Sequence, residues 1–183
     1  MKLRFIEKRI PAIAIFTAVV ILTTLASGSV SLSRERSRAE RVFTDGVRSD
    51  GMSIGYDLDQ RAEAAYNLAG IAKRYLDGSD GINALLAARD ALTGAKSVSE
   101  KYAANLELSV ATDALYSELK EAQLSDKDRT LAAGQYQDML SHNDAISRDG
   151  YNSCALEFNR KLEKFPASRI ARIAGIKPLE TFD

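Results

Sequence analysis

The chain has very little of the equipment that most chemistry needs. It contains one cysteine (Cys154), one histidine (His142), three prolines and no tryptophan in 183 residues. A lone cysteine excludes an intramolecular disulfide and any multi-thiolate metal site, and a lone histidine has no second imidazole with which to share a metal. Net charge is also absent: 25 Lys and Arg balance 25 Asp and Glu. That balance removes the global electrostatic case for nucleic acid as a partner. No stretch of useful length alternates apolar and polar residues with period two, so strands and a strand-borne phosphate loop are not expected. Asp77-Gly78-Ser79-Asp80-Gly81 resembles the opening of a calcium loop. It has Ile82 and Ala88 where that loop needs glycine and glutamate, so it reads as a turn. No catalytic, cofactor-binding or metal residues are assigned, and no cofactor is expected.

What is present begins with a long uncharged run from Ile10 to Ser33, preceded by Lys2, Arg4, Lys8 and Arg9. A hydrocarbon layer of ~30 Å needs about 20 apolar residues in a helix. The expected layout is a basic tail at 1–9, a single-pass transmembrane anchor at 10–33 and a helical domain at 34–183. A cleavable signal peptide would share the basic start, with Ala26-Ser27-Gly28 as its cleavage site. The length of the uncharged stretch favours a retained anchor. Arg34, Arg36, Arg38 and Arg41 nearly balance the N-terminal cations. The signal-like start then orients the chain with its domain on the extracytoplasmic side.

The rest of the chain reads as all-α. Thr44 to Gly55 is rich in glycine, serine and aspartate and breaks the helix that leaves the anchor. Leu58, Ala62, Ala65, Ala69, Ala72 and Leu76 recur at four-three spacing, the seam of a coiled-coil-like helix over 56–77. A second helical stretch follows over 82–92. Ser97 with Glu100 fits a capping box opening a helix that carries Leu108, Ala111, Leu115, Leu119 and Ala122. Ser125 or Asp126 caps the next helix, expected to run unbroken from 127 to 165 through Leu131, Tyr136, Leu140 and Ile146, despite Asp149-Gly150. The domain is therefore expected to be an antiparallel bundle of about four helices.

The last part of that helix carries an apolar ridge of Tyr151, Ala155, Phe158, Leu162 and Phe165. Asn152 and Asn159 stand one heptad apart beside it, where an amide ordinarily hydrogen-bonds a loop or a helix end. Phe165-Pro166 ends the helix, and Gly175 closes a short turn at 167–174. His142, in a polar turn, reads as a solvated surface residue, and Cys154 reads as a small buried hydrophobe. The basic residues Arg160, Lys161, Lys164, Arg169, Arg172 and Lys177 cluster near the C-terminus. They are candidates to face anionic lipid headgroups or simply solvent.

These residues carry a resemblance. Tyr151, Asn152, Phe158, Asn159, Phe165, Pro166, Ala171, Gly175 and Phe182 resemble the C-terminal signature of the LemA family. Arg61, Asn67, Leu68 and Tyr75, with Ala88-Arg89, resemble its internal motif, from which the chain departs at Glu63 and Tyr66. The resemblance implies a bacterial cell-envelope protein with one membrane anchor and an elongated antiparallel bundle, and no enzymatic activity is assigned to the family as a whole. The favoured expectation is a non-catalytic scaffold or adaptor with an unidentified protein partner. The alternative is a ligand-binding sensor or enzyme using the surface of Cys154, Asn152 and Asn159.

Overall fold

A computed structural model describes the chain from Arg9 to Asp183, with side chains from Pro11 onwards. Lys2, Arg4 and Lys8 of the expected basic tail lie outside the described residues. Among the described residues all regular structure is helical: α1 (Arg9–Asp45), α2 (Ile54–Ala72), α3 (Asp80–Gly94), α4 (Val98–Glu121), α5 (Asp126–Ser147), α6 (Tyr151–Glu163) and α7 (Ala167–Ala174). The chain divides into two compact units. The smaller joins the chain up to Arg38 with Glu157–Leu179, and the larger joins Ala39–Leu156 with Glu180–Asp183.

In the larger unit each helix start is written locally. Ser53, Ser79, Ser97 and Ser125 precede α2, α3, α4 and α5, and each serine Oγ accepts a backbone N–H of the first turn. At Ser97 the box is complete: Ser97 Oγ accepts from the Glu100 N–H at 3.1 Å, and Glu100 Oε2 accepts from the Ser97 N–H at 3.0 Å. The Lys96 N–H, which donates to Glu100 Oε2 at 2.7 Å, and then the Ser97 N–H hold the Glu100 carboxyl below its ordinary value. Ser97→Ala is expected to destabilise the protein by about 1 kcal/mol, readable in urea unfolding.

The helices then bury one face each. In α2 the small residues Ala62, Ala65, Ala69 and Ala72 are buried together with Leu58 and Leu68. Lacking bulk, the alanines let α5 and α3 lie close, and α3 in turn packs on α4. Leu85, Leu92, Leu108, Leu115, Leu119 and Met139 are almost fully enclosed. Each such side chain is worth about 1.5–3 kcal/mol in burial.

Four expectations are corrected. First, the long helix from 127 to 165 is two helices, with Arg148–Gly150 between them. Asp149 Oδ1 accepts from the Tyr151 N–H at 2.7 Å, so a side chain caps α6 where a continuing helix would have used the backbone. Second, six helices rather than about four follow α1. Third, α2 ends at Ala72 rather than at 77, and Leu76 is only half-buried. Fourth, α5 turns Asp128, Ala132, Met139 and Ile146 inwards, while Leu131 and Leu140, expected on the buried face with Ile146, are exposed.

In the smaller unit α7 lies directly on α1. Leu32, Ile170 and Ala171 form a buried cluster, with Leu25, Leu162, Ala167 and Ile176 packed against it. Gly28 permits the approach, since a Cβ there would stand 2.6 Å from Ile170 Cδ1. Arg36 Nε donates to the Lys177 carbonyl at 3.1 Å, and Lys161 Nζ meets Glu35 Oε2 at 3.1 Å. Gly175, at φ +69°, ends α7 in the left-handed conformation that suits glycine. The apolar ridge of α6 is shorter than its spacing suggests. Tyr151, Ala155 and Phe158 are buried, Leu162 is half-buried, and Phe165, beyond the end of α6, is 85% exposed. From Pro11 onwards α1 is long and apolar enough to cross a membrane, and none of its most apolar window is buried within the protein.

Candidate functional site

The two asparagines of the C-terminal motif do the same thing in separate units. In the larger unit Asn152 Nδ2 donates to the Phe182 carbonyl at 3.0 Å, and the Phe182 N–H donates back to Asn152 Oδ1 at 2.7 Å. In the smaller unit Asn159 Nδ2 donates to the Leu179 carbonyl at 2.9 Å, and the Leu179 N–H donates to Asn159 Oδ1 at 2.8 Å. A primary amide carries one donor and one acceptor edge, so each asparagine pairs a backbone residue as a neighbouring strand would.

Around Asn152 the grip is reinforced. The Tyr151 hydroxyl donates to the Glu180 carbonyl at 2.7 Å. Phe182 meets the Tyr102 ring edge-on at 5.3 Å, and Phe43 meets Tyr151 edge-on at 5.2 Å. Glu180 Oε2 accepts from the Ser99 N–H at 3.0 Å, placing a carboxylate on the first turn of α4. That amide holds the Glu180 carboxyl below its ordinary value.

A second polar cluster sits in the helical core of the larger unit. Arg61, 2% exposed, projects from α2. It donates through one terminal nitrogen to Asn105 and, at 2.8 Å, to Asn143, and through the other to Ser109 at 2.8 Å. Asn105 Nδ2 also donates to Asn143 Oδ1 at 3.3 Å. The Nε of Arg61 is buried without a hydrogen-bond partner. Burial pushes the guanidinium well below its ordinary value, to about 10, with Asp113 pulling the other way. Burial of this charge therefore opposes folding below pH about 10, and the opposition falls away as pH rises through that value. Its polar neighbours, drawn from α4 and α5, make the arrangement tolerable.

The LemA family profile matches residues 52–183. The chain belongs to the LemA family. No curated protein matches it. In this LemA chain the motif asparagines secure the C-terminal segment and the motif arginine ties three helices together, so the resemblance rests on residues with visible structural work. Family membership and the apolar α1 together fit a membrane-associated protein.

The remaining candidates are placed as follows. His142 is corrected: it is a partner of Asp57, not a solvated residue, with Nδ1 2.7 Å from Asp57 Oδ1 and its ring edge-on to Tyr56 at 6.2 Å. Cys154 is a free thiol on α6, half-buried. Among the described residues no three His, Cys, Asp or Glu side chains gather where a metal ion could be held. In the first turn of α5, Asp128 accepts from the hydroxyl of Tyr75, just past α2, at 2.5 Å and from Arg74 at 2.7 Å. The Tyr75 hydroxyl, more than any other neighbour, holds that carboxyl below its ordinary 3.8. A depressed acid stabilises the fold above its unfolded value and loses that stabilisation as pH falls through its folded value. Tyr75→Phe is accordingly expected to lower stability at pH 7, with the deficit shrinking once pH drops below about 3.8. Urea titrations at several pH values would read it, and a deficit independent of pH would contradict the assignment.

Proposed function

We propose that this LemA protein is a non-catalytic, single-pass membrane protein whose helical domain acts as a scaffold or adaptor on the extracytoplasmic side of the cell envelope. The observation that carries the reading is the use made of the motif amides. Asn152 and Asn159, which a ligand site would need free, are each spent on both edges by the chain's own C-terminal segment. Short links between α2, α3, α4 and α5 support reading these four as an antiparallel bundle, a rigid body suited to presenting surface.

The rival is a sensor or enzyme working through Cys154, Asn152 and Asn159. Cys154→Ser tests it without disturbing either asparagine. The expected variant folds normally, complements a deletion strain and keeps the same crosslinked partners in membranes. A variant of unchanged unfolding midpoint that fails to complement would contradict the scaffold reading.

A further inference from the structure

We propose that α7 and the residues flanking it form an interfacial element that lies in the headgroup region of an anionic bilayer, with Phe165 and Ile173 inserted among the lipids. This rests on the reading of α1 as a membrane span and adds a second, peripheral contact to it. The position of α7 is set by α1 itself. At 1.5 Å per residue a ~30 Å hydrocarbon layer takes up about 20 residues, from Pro11 to about Val30. Ile170 packs at Gly28, about 25 Å along that span, so α7 sits where hydrocarbon gives way to headgroups.

Its surface fits that depth. Ile170 and Ala171 face α1, whereas Ile173, three residues from Ile170 on the same apolar side of the helix, is 68% exposed, and Phe165 is 85% exposed. Large apolar side chains of α1 are exposed too: Phe16, Leu22 and Val30 are 69%, 65% and 50% exposed. Arg172 lies on the side of α7 away from Ile170, and Arg169, one turn before Ile173, lies at the edge of the apolar side, with Lys164 and Lys177 on either flank, and all four are exposed. An amphipathic helix with cations on its polar side and large apolar groups on the other is the arrangement that binds in the plane of an anionic surface.

The absence of tryptophan makes the test clean. Phe16→Trp, Phe165→Trp and Ile173→Trp, each in the full chain reconstituted into vesicles containing anionic lipid, provide one reporter apiece at an exposed position. Lipids carrying a spin label near the headgroup or deep in the acyl chain serve as quenchers, with iodide as the aqueous one. The proposal expects deep-label quenching at 16. At 165 and 173 it expects blue-shifted emission, with headgroup-label quenching exceeding iodide quenching at least two-fold. Combining Arg169→Gln and Arg172→Gln should remove the preference of the 173 reporter for anionic over neutral labelled lipid. Deep quenching at 16 with water-like emission at 165 and 173 would overturn the interfacial helix and leave the anchor standing. No lipid quenching at 16 would overturn the anchor and this proposal together. Emission at 165 and 173 that is water-like in pure lipid but shifts in native membranes would assign the surface to a protein partner and overturn the proposal.

Discussion

Arg61→Ala is expected to destabilise the larger unit by about 3–5 kcal/mol, the upper range for truncating a long buried side chain and leaving its polar neighbours unpaired. Asn105 and Ser109 lose their guanidinium partner, Asn143 keeps only the amide of Asn105, and a cavity opens in the middle of α2. For a domain of this size the melting temperature should fall by roughly 6–20 °C. Arg61→Met is the informative companion. It fills most of the same volume and removes the cost of burying a charge, so it is expected to recover at least half of the loss. Calorimetry on the two variants reads the difference. An alanine variant as stable as the parent would mean that the arginine is held for something other than the fold.

The second large effect concerns the C-terminal segment. Removing residues 180–183 takes away the buried Phe182 ring, the bond from Tyr151 to Glu180 and the carboxylate on the start of α4. The expected cost is about 3–5 kcal/mol, as for deleting a buried phenylalanine side chain. Asn152→Ala alone leaves the Phe182 N–H and carbonyl without their partners, at about 1–3 kcal/mol. Because the asparagine acts through Phe182, the two changes should not add: in the truncated chain Asn152→Ala should cost almost nothing. Additive losses would show that Asn152 has a second partner and would reopen its reading as a ligand residue.

Features set by neighbours in sequence were legible beforehand, and features set by distant partners were not. Ser97 and Glu100 are three residues apart, so the capping box could be read directly, as could Gly175 at the end of α7. The spacing of Leu58, Ala62 and Ala65 identified a buried face because helical period and burial coincide there. The ridge from Tyr151 failed only at Phe165, where the helix stops at Glu163 and the periodicity no longer describes the chain. The break at Gly150 depended on whether Asp149 would cap the Tyr151 amide, a choice between two locally satisfactory hydrogen bonds. His142 looked solvated because Asp57 lies 85 residues away, and Arg61 gave no local sign that Asn105 and Asn143 would surround it. The amides of Asn152 and Asn159 were expected to bond a loop or a helix end. Their partner is the last stretch of the chain, too aperiodic to announce its path.

The most direct test of the tethered-adaptor account is the fate of α1 in native membranes. After alkaline carbonate washing, the account predicts that the full chain stays with the membrane pellet and that mass spectrometry finds residues 10–33 still attached to it. A mature N-terminus at Ser29, with the protein released into the supernatant, would contradict it.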